Sequence, residues 1–144
     1  DINPEISLNE FTCRYDQTTS CDILNMKHDY VIDAIDSLPN KVHLIKSCLQ
    51  KDIPIVSSMG TANRINPLLL HLADLKNTSV CPIARKLRRE LRQTGINKGV
   101  MVVYSTEIPI KPEKGGNHLG SLPFVPAAAG LLLANYVIRN ILDI

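Results

Sequence analysis

Apolar side chains recur along this chain at two spacings, every second residue and every third or fourth, and the two alternate. A spacing of two marks a strand with one buried face; a spacing of three and four marks an amphipathic helix. Ile6, Leu8, Phe11 and Cys13 form a loose alternation, broken once, that predicts a short strand within Ile6 to Tyr15. Thr18 to Met26 opens on hydroxyl residues suited to capping and sets Cys21 and Leu24 one turn apart, which predicts a short helix. Tyr30 to Asp36 is a compact, partly β-branched run ending in an acid, after which Ser37-Leu38-Pro39-Asn40 turns the chain and Val42, Ile45 and Leu49 follow at helical spacing. Ile53 to Val56 supplies another strand, and the helix between the two runs is the crossover that parallel neighbours need.

Gly60 within Met59 to Arg64 permits a tight backbone, and Ile65 to Leu72 returns to extended apolar character with Asn66-Pro67 inside it, predicting a bent strand. A second helix runs from Pro82, a residue favoured in the first turn, to Gly95, a terminator, with Ile83, Leu87 and Leu91 on its buried side. Gly99 to Glu107 is the strongest strand in the chain. Ile108 to Ser121 is a Pro-, Gly- and Lys-containing loop of about fourteen residues, a length usually kept for a functional reason. The final helix runs from Pro126 through Ile141, either deeply buried or covered by a partner. Strands alternating with helices predict an α/β sheet of about five strands, with no internal repeat and no low-complexity tract.

Composition narrows the class. A chain of 144 residues with 44% hydrophobic content suits one globular domain, and 21% charged residues with a net charge of +2 fit neither a disordered tail nor a nucleic-acid-coating surface. Any polyanion site is therefore local. No signal peptide opens the chain, and its longest nearly apolar stretch, Leu122 to Ala134, falls short of the ~20 residues of a membrane span. The expectation is an intracellular, cytoplasmic protein without stable membrane insertion. Cys13, Cys21, Cys48 and Cys81 form no CxxC pair, so they are read as reduced thiols rather than a zinc ribbon or disulfide framework.

Two groups of residues offer chemistry. Asp33 and Asp36 close the Tyr30 to Asp36 strand, and open α/β sheets place ligands beyond the carboxyl ends of their strands. A carboxylate there suits Mg²⁺, which takes one or two carboxylates plus phosphate oxygens, although Asp36 or Ser37 equally suits a helix cap and Asp33 a receiver of backbone hydrogen bonds. Between Cys81 and Val100 the local charge is +5, which leaves −3 for the remainder. Arg85, Arg88, Arg89 and Arg92 fall on one helical face, either for contacting nucleic-acid phosphates or as a solvated surface. No GxGxxG or GxxxxGK[ST] occurs, and His28, His43, His71 and His118 lack ligand spacing. Cys81 precedes the helix-initiating Pro82, where a helix dipole lowers a thiol pKa, yet no partner base stands out.

Several segments together resemble one family. YVIDAIDSLPNK (Tyr30 to Lys41), IPIVSSMGTANRINP (Ile53 to Pro67), PIARKLRREL (Pro82 to Leu91), VVYSTE (Val102 to Glu107) and GSLPFVPAAAGLLLANYVI (Gly120 to Ile138) are similar to the ThiF/MoeB/HesA adenylating (E1-like) superfamily. Within it they most resemble the tRNA threonylcarbamoyladenosine dehydratases. The resemblance implies a Rossmann-like mixed sheet with flanking helices, and an ATP-dependent ligase-type activity in which a substrate carboxylate attacks the α-phosphate and a carbamoyl nitrogen then closes a ring. It places Asp36, with Ser37 beside it, at the nucleotide and Mg²⁺ position, and it implies tRNA as partner and a homodimer. The family's glycine-rich phosphate loop normally lies upstream of a segment like DINPEISLNEF, so residues 1–144 are expected to be the C-terminal portion of an adenylating domain, lacking the N-terminal nucleotide-binding half and inactive alone. Two alternatives accompany this expectation: activation of a ubiquitin-like sulfur-carrier protein, with a sulfur-transfer partner, and a non-catalytic dimerisation module. The zinc-binding CxxC pairs of the sulfur-carrier-activating relatives are missing.

Overall fold

β1 (Val31–Asp33) and β2 (Ile55–Ser58) lie side by side in parallel, joined by α2 (Leu38–Gln50); a shorter helix, α1 (Ser20–Leu24), precedes them. The computed structural model describes residues 3–110 and 120–144. From β2 the chain passes through a loop and a single 3-10 turn (Pro67–Leu69) into β3 (Leu70–Asp74), then a second such turn (Leu75–Asn77) and α3 (Pro82–Arg92). β4 (Met101–Ser105) inserts parallel to β2, and β3 flanks it antiparallel, so the sheet order is β1-β2-β4-β3. α4 (Phe124–Leu142) closes the chain.

The period of two in the strands sorts side chains to two helical layers. Ile55, Val102 and Tyr104 face α2 and α3, where they join Leu44, Ile45, Cys48, Ala84, Leu87 and Leu91. Val56, Leu70 and Val103 face the other way and meet Val125, Ala129, Leu133 and Val137 of α4. The last four residues recur every fourth position, a single stripe along one side of α4. Burial on both faces explains why β4 reads as a nearly continuous apolar run from Met101 to Tyr104 rather than a strict alternation.

Four expectations from the sequence need correction. Residues 6–15 form no strand: Ile6, Leu8 and Phe11 are exposed, and the alternation finds no neighbouring strand to complete a ladder. The sheet among the described residues has four strands rather than five. The bent strand expected over Ile65 to Leu72 divides, because Asn66 Oδ1 accepts from the Leu68 amide and Pro67 starts a 3-10 turn, leaving β3 to begin at Leu70. α1 lacks a side-chain hydroxyl cap; Asp16 Oδ1 instead accepts from the Thr18 and Thr19 amides and the Thr18 hydroxyl, and the hydroxyl bond, then the amides, hold its pKa below the usual carboxylate range.

The final helix, expected from Pro126 through Ile141, runs instead from Phe124 to Leu142 and extends well past the apolar stretch that ends at Ala134. By length and composition α4, at 19 residues, is long and apolar enough to cross a membrane. Its Val125, Ala129, Leu133 and Val137 stripe is packed on the sheet, while Leu131, Ile138, Ile141 and Leu142 on other sides are exposed. The other helix limits match the sequence closely: Pro82 opens α3, and beyond its end Gly95 takes a left-handed φ of 85° while the Ile96 amide returns to the Leu91 carbonyl. The loop expected over Ile108 to Ser121 lies largely outside the described residues, as does His118.

Candidate functional site at the carboxyl ends of the parallel strands

The two acids of the Tyr30 to Asp36 segment have opposite fates. Asp33, the last residue of β1, is fully buried, and the pleat turns it toward α2. Lys41, on the buried face of α2 one turn before Leu44 and Ile45, places Nζ 2.7 Å from Asp33 Oδ2. The same ammonium donates to Ser57 Oγ at 3.2 Å and to the Ser58 carbonyl at 3.0 Å. Ser57 Oγ donates to Asp33 Oδ2 at 2.5 Å, and the Ile35 amide donates to Oδ1 at 2.9 Å. All three ammonium hydrogens and both carboxylate oxygens thus have partners, which a buried ion pair requires. This knot ties the end of β1 to the end of β2: Asp33 accepts one backbone amide, as its structural reading anticipated, and otherwise serves a buried lysine and serine that the sequence reading did not pair with it. Behind it, burial and then the Asp33 charge push the Cys48 thiol up to about 11.

Asp36 is exposed on the lip of a cleft of about 490 Å³. The ion pairs among the described residues are Lys41–Asp33 and Arg89–Glu90, so Asp36 has no cationic partner among them. The cleft lies beyond the carboxyl ends of β1 and β2, where loops leaving parallel strands leave room for a ligand. One wall is the loop Met59 to Arg64, a second is the start of α3 at Cys81, Pro82 and Ile83, and a third is α4 at Pro126, Gly130 and Leu133. Ser37 is the N-cap residue of α2; its side chain makes no capping bond, and it does not line the cleft.

Three residues that the sequence did not single out shape the loop. Glu107 accepts from the Ile65 amide at 3.1 Å and the Asn66 amide at 3.0 Å, holding the loop to the end of β4. Asn63 has a left-handed φ of 58°; its amide donates to the Gly120 carbonyl at 2.7 Å, its Oδ1 accepts from the Gly120 amide at 2.7 Å, and its carbonyl accepts from the Ile110 amide at 2.8 Å. Arg64 is only 3% exposed and lines the cleft, with Nη1 donating to the Gly60 carbonyl. Gly60 packs against Ile83, where a Cβ would sit 2.7 Å from Cδ1.

The arginine face of α3 is split by the fold. Arg88 is half-buried, and its Nη1 donates to the Leu75 carbonyl at 3.1 Å, the Thr78 carbonyl at 2.8 Å and the Thr78 hydroxyl, which makes it a clamp on the preceding turn. Arg89 is paired with Glu90 at 2.9 Å, whereas Arg85 and Arg92 are exposed. All four line a shallow groove separate from the cleft. Cys81 is buried under the start of α3, and all four cysteines are free thiols. His28 and His43 are engaged by the Ile23 carbonyl and the Tyr15 hydroxyl, and no cluster of three or more His, Cys, Asp or Glu suited to a metal occurs among the described residues.

Comparison with known proteins bears on this geometry. The ThiF family model matches residues 1–144. The chain belongs to the ThiF family. Among curated ThiF-related proteins, tRNA threonylcarbamoyladenosine dehydratase of Bacillus subtilis is 38% identical over 157 residues, covering 99% of this chain and 62% of the relative. The Escherichia coli protein of the same name is 34% identical over 122 residues, covering 80% of this chain and 46% of the relative. The crystal structure of E. coli tRNA N6-threonylcarbamoyladenosine dehydratase in complex with AMP superposes with a TM-score of 0.90 at 30% identity, covering 99% of this chain and 60% of that one. A complex of the same enzyme with ATP gives the same score. This chain therefore spans about three-fifths of the length of its first-matched relatives, and its mixed α/β sheet is the corresponding part of their fold.

Proposed function

We propose that this chain is the C-terminal portion of an ATP-dependent tRNA threonylcarbamoyladenosine dehydratase, and that its cleft receives the activated end of the substrate. The reaction is an adenylation followed by cyclisation. The threonyl carboxylate attacks the α-phosphate of ATP and expels pyrophosphate; a carbamoyl nitrogen then attacks the acyl carbon, closing a five-membered ring and releasing AMP. The observation that carries this reading is Asp36, an exposed carboxylate with no ion-pair partner among the described residues, at the lip of a cleft beyond the carboxyl ends of β1 and β2. A single exposed carboxylate suits Mg²⁺ shared with phosphate oxygens and is too few donors for a protein-enclosed calcium or zinc site. Bound between Asp36 and the nucleotide, Mg²⁺ would offset the triphosphate charge.

The chain's own residues do the positioning. The Lys41–Asp33–Ser57 knot fixes the floor, and Glu107 and Asn63 fix the loop that walls it. Arg85, Arg89 and Arg92 lie along α3 as it runs away from the cleft, placed to touch the phosphates of a tRNA whose modified base enters there. The exposed apolar residues Leu131 and Ile138 of α4 support a homodimer through that helix. A cytoplasmic location is part of the same reading, since the substrate is tRNA.

The test is an Asp36→Ala variant of the complete protein. Because the side chain is exposed, its melting temperature stays that of the parent while ATP- and Mg²⁺-dependent dehydration of modified tRNA disappears; full activity refutes the assignment. The 144-residue chain alone supports no ATP–pyrophosphate exchange, and measurable exchange overturns that part of the reading.

A further inference from the structure

Arg64 is a buried cation with three of its five N–H donors, those on Nε and Nη2, unspent among the described residues. Nη1 donates to the Gly60 carbonyl and, at 3.5 Å, toward the Ala62 carbonyl. Nε and Nη2 are buried and have no acceptor among the described residues. A guanidinium keeps its charge at any pH a protein meets, so these donors cannot be silenced by deprotonation. A sealed donor on a charged group is among the most costly arrangements in a fold, and bulk water does not reach these two atoms to relieve it.

The two unsatisfied atoms are adjacent. Nε–H and the neighbouring N–H of Nη2 point the same way along one edge of the planar group, and that edge matches the spacing of two oxygens on a carboxylate or phosphoryl group. Arg64 lines the same cleft as Asp36, between the Met59 to Asn63 loop and the start of α3. Glu107 and Asn63 hold the far end of the loop, and the Gly60 and Ala62 carbonyls accept from Arg64 Nη1, so Gly60 to Ala62 is the part of the loop tied to the guanidinium itself.

We propose that Arg64 is an oxyanion receptor inside the cleft, its Nε–Nη2 edge gripping two oxygens of a bound ligand when the Gly60 to Ala62 backbone gives way. The identity of the oxyanion rests on the dehydratase reading: it is the carboxylate of the threonine-derived substituent, held until it attacks the nucleotide. The receptor itself needs only the buried fork.

The experiment uses the complete protein with two probes, N-acetylthreonine and inorganic phosphate, at matched ionic strength. Melting temperature is followed as each is added, and the Arg64 Nε–H resonance is followed in protein labelled with ¹⁵N-arginine. The expected result is saturable stabilisation and a shifted Arg64 resonance, with binding about tenfold weaker in Arg64→Lys, which keeps charge and loses the fork. Without oxyanion, Arg64→Met melts no lower than the parent, because it removes an unpaired buried charge. A response to phosphate alone supports the receptor and removes the carboxylate assignment. An Arg64 resonance unmoved by either probe, or equal affinity in Arg64→Lys, overturns the proposal. The resonance reads the parent protein, so it decides between receptor and no receptor even if a variant fails to fold. Activity lost in Asp36→Ala tests the dehydratase reading separately.

Discussion

Replacing Lys41 by Met removes one ammonium and little volume, which makes it a clean probe of the buried knot. The methylene stem still fills its place beside Leu44 and Ile45, but Asp33 loses its cation and the Ser58 carbonyl loses its donor. Asp33 retains only the Ser57 hydroxyl and the Ile35 amide. Leaving one member of a buried ion pair uncompensated costs about 3–5 kcal/mol. For a domain of this size each kilocalorie corresponds to roughly 3–5 °C, so the melting temperature should fall by roughly 9–25 °C. Urea denaturation followed by circular dichroism measures the free energy directly. Coupling Lys41→Met with Asp33→Asn removes the stranded charge as well, so the double variant should lose clearly less than the two single losses added together. A single-variant loss below about 1 kcal/mol, or strictly additive losses, would show that the pair does not stabilise the fold in the way its geometry implies.

Further predictions concern other parts of the chain. Arg88→Ala should destabilise by about 1.5–3 kcal/mol through lost charged hydrogen bonds to Leu75 and Thr78, whereas Arg85→Glu with Arg92→Glu should leave the denaturation midpoint within experimental scatter and weaken tRNA binding at low salt. Thiol labelling at pH 8 should modify exposed Cys13 and Cys21 quickly and Cys48 only on unfolding. With its thiol raised from 9.0 to about 11, Cys48 favours the folded state only while protonated in both states, so stability should decline as pH climbs from about 9 toward 11, and Cys48→Ala should flatten that decline. Val80 carries a left-handed φ of 60°, costly for a β-branched residue, so Val80→Gly should raise stability by up to ~1 kcal/mol in thermal melts.

The helices α2, α3 and α4 and the strands β1, β2 and β4 were legible because each has a period that its own packing satisfies. Ile6 to Tyr15 misled because alternation records the shape of an extended chain and says nothing of whether a neighbour pairs with it. Asp36 was legible as a strand-end acid. Lys41 was within reach of the same reasoning, since it sits on the helical stripe of Leu44, Ile45 and Cys48 where a lysine demands a counter-charge, and Asp33 was the nearby candidate. Arg64, Asn63 and Glu107 gave no such sign. They lie in or beside an irregular loop with no period, and the bonds of Asn63 and Glu107 that shape it span more than forty residues of sequence. The arginine face shows the converse limit, for helical spacing places four guanidinium groups together but cannot tell that Arg88 bends back onto a carbonyl.

The anchoring of Ile110 and Gly120 on a single residue, Asn63, ties two amides ten positions apart in sequence to one peg. A local opening of the Met59 to Arg64 loop would release both together, so hydrogen exchange at the Ile110 and Gly120 amides should report one shared opening event.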